Sequence, residues 1–415
     1  MAESIDVVIV GGGTAGISVA SHLARKAKGL KLNISIVDPA ETHYYQPALT
    51  LVGAGVTRLD SIHRPEAKLI PRGVDWEQKK VTGFFPEHNK VEFNTGSSLT
   101  YDYLIVCPGL ELNWDKIKGA SETLGRNGVC SNYSPQYVID TWDTLQNLNS
   151  GATAIFTQPP MPFKCPGAPQ KAAYLAADYL RKKGILPQCK VLFMTHGPAI
   201  FSVPLFAKEL VKVVAGYGIK AYYQHNLVAV DGPARKATFE IVGGPDQGKR
   251  YSIKFDMLHI TPPQSPPEEI KNSSLVNEAG YVDVDQGTLQ HKKFPNIFSL
   301  GDACSAPNSK TAAAIRKQVP VVTNNLLSMI RKQKPSSVYD GYASCPLTTA
   351  YKKVIMAEFC YGGKVTPTFP LDPRKERWVN WVIKTTGLPF FYWHYMLKGF
   401  VKFFPHNTNF TEPSD

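Results

Sequence analysis

Ile5-Asp6-Val7-Val8-Ile9-Val10-Gly11-Gly12-Gly13-Thr14-Ala15-Gly16 decides the fold of this chain. The first six residues are β-branched and almost free of polar groups, the pattern of a strand buried on both faces of a parallel sheet. Ile17 to Lys28 reads as an amphipathic helix, and Leu32 to Val37 as a second strand that ends in Asp38. Gly11, Gly13 and Gly16 carry the GxGxxG spacing: a tight turn, a backbone that can approach a pyrophosphate, and close packing of the helix. The helix start at Thr14 and Ala15 offers unpaired N–H groups and the positive end of the helix dipole. Asp38, 22 residues after Gly16, stands where a carboxylate accepts ribose hydroxyls. A merely tight βαβ turn needs no such acid, so strand, loop, helix and acid together predict a dinucleotide site.

A second strand–turn–helix follows, without the glycines. Ala152 to Phe156 leads into Phe163-Lys164-Cys165-Pro166-Gly167-Ala168-Pro169, and a helix-like run from Gln170 to Lys183 leads out. A flavoprotein of this build seats NADH in such a turn. Here prolines and a cysteine fill it, which argues against an NAD(P)H site and suggests that sulfur delivers the electrons. No CxxxxC follows the Asp38 strand, so the redox pair is not of the glutathione-reductase kind.

The 415 residues call for two or three domains, and 43% hydrophobic content supports sizeable cores. The net charge is +12, and residues 300–415 hold 15 Lys/Arg against 7 Asp/Glu, so most of the excess lies in about a quarter of the chain. That asymmetry points to an anionic partner, and the aromatic tail favours a membrane surface over nucleic acid. Seven cysteines form no CxxC or Cys/His metal spacing, so no metal is expected. No apolar run reaches 18 residues, and no signal or transit peptide is read, because Ile5 already begins the first strand.

Two later segments choose the cofactor. Thr100-Tyr101-Asp102-Tyr103-Leu104-Ile105-Val106-Cys107-Pro108-Gly109 resembles the strand YDxLIxATG of two-dinucleotide flavoproteins, with Cys-Pro for Ala-Thr. Asn296-Ile297-Phe298-Ser299-Leu300-Gly301-Asp302 resembles their second FAD motif, whose aspartate binds the ribityl chain. FAD is therefore expected. Further blocks are more specific: Tyr44-Tyr45-Gln46-Pro47, Leu51-Val52-Gly53-Ala54-Gly55, Lys164 to Lys171, Ser309-Lys310-Thr311-Ala312-Ala313-Ala314, and Tyr339 to Leu347 with Cys345. With these the chain resembles sulfide:quinone oxidoreductases, particularly the mitochondrial type, over nearly its whole length.

The resemblance implies a site. Cys165 and Cys345, 180 residues apart, would form a di- or trisulfide that sulfide attacks, leaving a persulfide on one cysteine and a thiolate on the other. Cys165 is expected to receive the sulfane sulfur and Cys345 to face the flavin. Bacterial members carry a glutamate where this chain has Lys171, whose cation would lower a thiol pKa and steady a persulfide. Lys384 resembles a second lysine near the quinone and the active-site entrance; on composition alone each lysine is equally a solvated helix residue. Cys130 stands near a third cysteine of bacterial relatives, in a block that otherwise looks mitochondrial. Cys107, Cys189 and Cys360 read as small buried hydrophobes, and Cys304 as near FAD by position. Gln46, Val81, Gly109, Gly301, Asp302, Lys310, Thr311, Ala312 and Ala313 complete the expected FAD contacts, the last four at a helix start that faces the flavin.

From Glu376 the chain reads as two aromatic, basic helices hinged at Gly387-Leu388-Pro389, the second running through Phe390, Phe391, Tyr392, Trp393, Lys402, Phe403 and Phe404. A core helix is the plainer alternative. Burial in a bilayer interface fits better and would let a quinone reach the flavin, with Phe359, Phe390 and Phe391 as candidate quinone contacts. The expected architecture is α/β: an FAD domain at 1–112 and 288–330, a second Rossmann-like domain inserted at 113–287, and a C-terminal amphipathic-helix membrane module at 331–415. Pro262 to Pro267 is the stiff connector between the two domains. The expected activity is oxidation of hydrogen sulfide with reduction of ubiquinone and transfer of sulfane sulfur to sulfite, glutathione or a similar acceptor. The expected place is the mitochondrial inner membrane, with a bacterial membrane as alternative, and a homo-oligomer is left open. A type II NADH:quinone dehydrogenase and a non-enzymatic FAD-stabilised binding protein are the rival readings.

Overall fold

The computed structural model describes residues 4–401 and 405–411. Ile5–Val10 (β1), Thr14–Lys26 (α1) and Leu32–Val37 (β2) form the predicted βαβ unit, β1 and β2 pairing in parallel from Ile5↔Leu32 to Val10↔Val37. Tyr103–Val106 pairs on the other side of β1, Ile297–Ser299 lies beyond it, and Val74–Glu77 flanks β2, completing an all-parallel five-stranded sheet. Val7, Ile9, Ile36, Leu104 and Ile105 are fully buried, as strands covered on both faces require.

Thr153–Gln158 (β3) is the middle strand of a second parallel five-stranded sheet, between Met257–His259 and Lys190–Thr195, with Val129–Cys130 and Lys220–Tyr223 at its edges. Its crossover helix is Ala168–Lys182 (α2), buried along its first eleven residues. The two passages between sheets run side by side, Glu111–Leu112 pairing antiparallel with Gln264–Ser265 inside the Pro-rich connector. Beyond that connector Ile270, Leu275, Val282, Val284 and Leu289 already pack into the core of the first sheet. The inserted unit therefore closes near the connector and not at 287, because those side chains follow the sheet that buries them.

Ala312–Ile330 (α3) packs against α1 over the first sheet. Ala343–Ala350 (β4) and Lys353–Phe359 (β5) form an antiparallel hairpin that straddles both cores. Tyr339, Tyr342 and Cys360 join the first core, whereas Ala343, Cys345, Leu347 and Ala357 join the second. Cys345 thus sits in a strand.

Trp378–Val382 (α4), a π-helical turn over Ile383–Gly387 and Leu388–His394 (α5) follow as one continuous helix. The predicted hinge is absent: Gly387 (φ −65°, ψ −48°) and Leu388 (φ −67°, ψ −43°) are both helical. Pro389 falls in the first turn of α5, where its missing N–H has no partner to lose. The helix breaks at Tyr395 instead (φ −125°). Lys402, Phe403 and Phe404 lie outside the described residues. Among the described residues no helix is long and apolar enough to cross a membrane.

Candidate active site and flavin cradle

Cys165 adopts φ +49°, a left-handed conformation that costs a non-glycine residue about 1–2 kcal/mol. Three contacts hold the turn there. The Cys165 N–H donates to the Lys310 carbonyl (2.8 Å), Tyr133 donates its O–H to the Cys165 carbonyl (3.3 Å), and the Lys164 N–H donates to Gln264 Oε1 (3.0 Å). Gly167 explains its place in the motif, since a Cβ there would lie 2.6 Å from Cys345 Sγ. The absent side chain lets β4 bring Cys345 against the start of α2.

The two thiols hydrogen-bond to each other, and Lys171 Nζ donates to Cys165 Sγ (3.3 Å) and Cys345 Sγ (3.8 Å). Both cysteines are free thiols. The hydrogen bond from Cys345 and the ammonium groups of Lys171 and Lys384 hold Cys165 well below the usual thiol range, against the opposing effect of burial. Cys345, which donates that bond and is buried, is pushed well above it. Burial lowers the Lys171 pKa, but the two sulfurs outweigh it and push the group up to about 12. Lys384, buried in the π-helical turn, is pulled down to about 7 by desolvation and by the Lys171 charge. The structure therefore brings the half-buried Cys165 together with the buried Cys345, Lys171 and Lys384: two sulfurs whose pKa values are pushed apart, a lysine that stays charged and a lysine pulled down to about 7.

The dinucleotide loop fits FAD. Gly16 is obligatory, because a Cβ there would sit 1.8 Å from the Gly11 carbonyl oxygen. Gly13 and Gly109 face open space, where an added Cβ would meet nothing within 4 Å, and no side chain caps the N-terminus of α1. Asp38 Oδ2 accepts the Gly12 N–H (2.5 Å), and the buried Glu66 Oε1 beside Gly12 has no partner, an acceptor left over at the expected ribose position. Gly301 turns with φ +76° and places Asp302 near Lys164 and Lys310, whose charges partly offset the rise that burial imposes on its pKa. Thr311 caps α3, its hydroxyl accepting the Ala314 N–H, so the helix proper begins at Ala312 and Ala313. Lys310 points its ammonium back at the Cys304 and Ala306 carbonyls (2.6 and 3.1 Å) rather than outward. Gln46 accepts a hydrogen bond from Lys164 Nζ (2.9 Å), and Val81 is buried in the first core.

The corresponding turn after β3 has no room for a pyrophosphate. Phe163 is fully buried there, Ala168 to Lys171 are buried, and Cys345 Sγ fills the space beside Gly167.

Other predicted residues lie elsewhere. Cys130 is fully buried, donates to the Leu258 carbonyl and is pushed up to about 12 by burial, so it belongs to the packing of the second sheet. Cys107 and Cys304 are buried beside the Gly11 and Gly301 carbonyls. Cys360 is not in the apolar setting expected of it: its sulfur lies 3.3 Å from Thr366 Oγ1 and 3.7 Å from His406 Nε2, which is itself 2.7 Å from Asp340 Oδ2. Phe359 packs edge-on against Phe201 in the second core, whereas Phe390 and Phe391 sit on α5 against Tyr395, so the three candidate quinone contacts occupy two places. Tyr133 and the buried group around His43 carry no local signal in the sequence, whereas Lys164 stands in the Cys165 motif and only the structure gives it a contact of its own.

Two Rossmann-like units, an FAD cradle in the first and a cysteine pair where the second would seat NADH, define a flavoprotein of the two-dinucleotide-domain class. A family model described as Pyridine nucleotide-disulphide oxidoreductase matches residues 5–151, and one described as Sulfide dehydrogenase (flavocytochrome c) flavoprotein chain, central, matches residues 141–243. The chain is 45% identical over 405 residues to the mitochondrial sulfide:quinone oxidoreductase of Dictyostelium discoideum, covering 97% of this chain and 88% of the relative. It is 41% identical over 395 residues to that of Mus musculus, covering 95% and 87%. The X-ray structure of the sulfide:quinone oxidoreductase from the hyperthermophilic bacterium Aquifex aeolicus shares the fold, with a TM-score of 0.80 at 20% identity over 96% of this chain and 92% of that one. The chain belongs to the sulfide:quinone oxidoreductase family of FAD-dependent enzymes.

Proposed function

We propose that this chain oxidises hydrogen sulfide at Cys165 and Cys345 and reduces ubiquinone from a membrane surface. The observation that carries the proposal is Lys171, whose single ammonium group touches both sulfurs. Sulfide attacks a Cys165–Cys345 disulfide at Cys345; the S–S bond breaks, Cys345 becomes a persulfide and Cys165 leaves as a thiolate. Cys165 is the better leaving group, because Lys171 Nζ lies closer to its sulfur (3.3 Å) than to that of Cys345 (3.8 Å). This order reverses the one expected from the sequence. The reason is position: Cys165 is bonded to Lys310 and its charge acts on Asp302, both beside the second FAD motif. A nucleophilic acceptor such as sulfite or glutathione takes the sulfane sulfur from Cys345, and the two thiolates re-form the disulfide by losing two electrons. Bound FAD supplies a two-electron acceptor for that step and a donor to the quinone. Gly11, Gly13, Gly16, Asp38, Gly301 and Asp302 would hold it.

The outer faces of α4 and α5 expose Trp378, Val379, Val382 and Phe390, with Lys375 and Lys398 exposed nearby. A helix this aromatic and basic suits the bilayer interface, and with mitochondrial relatives it supports a monotopic enzyme on the inner membrane. The test is anaerobic mixing. Sulfide should bleach the flavin at once, and NADH should leave it oxidised; bleaching by NADH alone would replace this proposal with an NADH:quinone dehydrogenase.

A further inference from the structure

Tyr392 lies on the inner side of α5 and is 2% exposed. Its hydroxyl is 2.7 Å from Thr14 Oγ1 and 2.6 Å from His43 Nε2, and His43 Nδ1 is 3.1 Å from Glu66 Oε2. His43 and Glu66 are as buried as the tyrosine. With Glu66 ionised, His43 keeps its proton on Nδ1, so Nε2 accepts the Tyr392 O–H. The tyrosine oxygen is then left to accept the Thr14 hydroxyl. A directed line of four polar side chains thus ends on the first residue of α1, inside the glycine loop. The same segment is fastened further along α1. Ser21 donates to the Leu397 carbonyl (2.6 Å), the Arg25 guanidinium lies 3.6 Å over the Phe400 ring, and a Cβ on Gly399 would strike the Ser21 backbone at 2.7 Å.

We infer that residues 388–400 are a clamp on the FAD site and that Tyr392 is its positioning residue. By fixing Thr14, Tyr392 holds the N–H groups at the start of α1 toward the pyrophosphate, and FAD leaves only when the segment lifts from α1. Tyr392 touches the loop and not the reacting sulfurs, so it governs retention of the cofactor and not the sulfur chemistry.

The test follows release of FAD from the holoenzyme by the rise in free-flavin fluorescence. Tyr392→Phe keeps the ring against Tyr45 (centroids 4.6 Å apart) and removes only the hydroxyl. Of the two hydrogen bonds that hydroxyl makes, loss of the one to Thr14 should speed release about tenfold, the worth of one buried hydrogen bond. Thr14→Val should do the same, and the double variant should release no faster than either single one, because both remove the same bond. His394→Gln, on the outer face of α5, should release FAD at the unmodified rate. Wild-type release from Tyr392→Phe would overturn the inference. So would multiplying effects in the double variant, or an equal acceleration by His394→Gln, since either means general loosening of the helix.

Discussion

Lys384 is the residue at which the chemistry should show its pH dependence. Buried beside Lys171, it is pulled down to about 7, while Lys171, touching both sulfurs, stays charged. Below pH 7 Lys384 is an ammonium; above it, a neutral amine that can take a proton from H₂S beside Cys345. The Cys345 hydrogen bond, Lys171 and Lys384 lower the Cys165 pKa from that of an ordinary thiol, and that shift is common to any variant that keeps both cations. Sulfide-dependent flavin reduction in a single turnover should therefore climb as pH rises through about 7. Lys384→Arg keeps a cation that does not titrate and should lose that part of the climb. H₂S ionises alike in both experiments, so the difference between the two profiles is the readout, and identical profiles would remove Lys384 from the chemistry. Lys171→Met, which takes away the cation shared by both sulfurs, should move the pH profile of Cys165 alkylation to higher pH by as much as its pKa rises.

At the scale of the element, the glycine loop tests the cradle apart from the sulfurs. Gly16→Ala places a Cβ 1.8 Å from the Gly11 oxygen, so α1 must move away from the turn that binds the pyrophosphate. The purified variant should carry less than about a tenth of the normal flavin, by absorbance, while α2 and β4 still present an alkylatable Cys165. Such local rules made the first βαβ unit legible from its residues alone, since the strand, the glycine spacing and Asp38 all fall within one short span. The cysteine pair was legible only through resemblance, because β4 and α2 meet by tertiary packing that no local pattern encodes. The missed features fail for the same reason: His43, Glu66 and Tyr392, which meet at Thr14, come from three further segments, and each alone reads as an ordinary polar residue. The false hinge came from treating Gly-Leu-Pro as a helix breaker. In the structure Pro389 opens a turn, where it is tolerated, and the helix runs on to Tyr392, whose hydroxyl meets Thr14 at the start of α1.

At the scale of the whole molecule, α5 has two faces with different partners. Its inner face meets the FAD loop through Tyr392, and its outer face exposes Phe390, with Tyr395 and Phe400 exposed just beyond. If the outer face docks on a bilayer, lipid binds the seated form of the segment better than the lifted form. Binding at one face must then strengthen binding at the other by the same factor. Vesicles containing anionic lipid should therefore slow release of FAD from the wild-type holoenzyme, and loss of FAD should weaken attachment to vesicles. Trp378→Ser, which removes the most exposed aromatic of α4, should reduce vesicle binding and the slowing together. Tyr392→Phe should still bind vesicles, but lipid should slow its flavin release less, because the link from α5 to Thr14 is cut. Vesicles that bind the wild-type protein tightly without changing its rate of FAD release would separate the membrane face from the cofactor clamp and end the claim that one helix serves both.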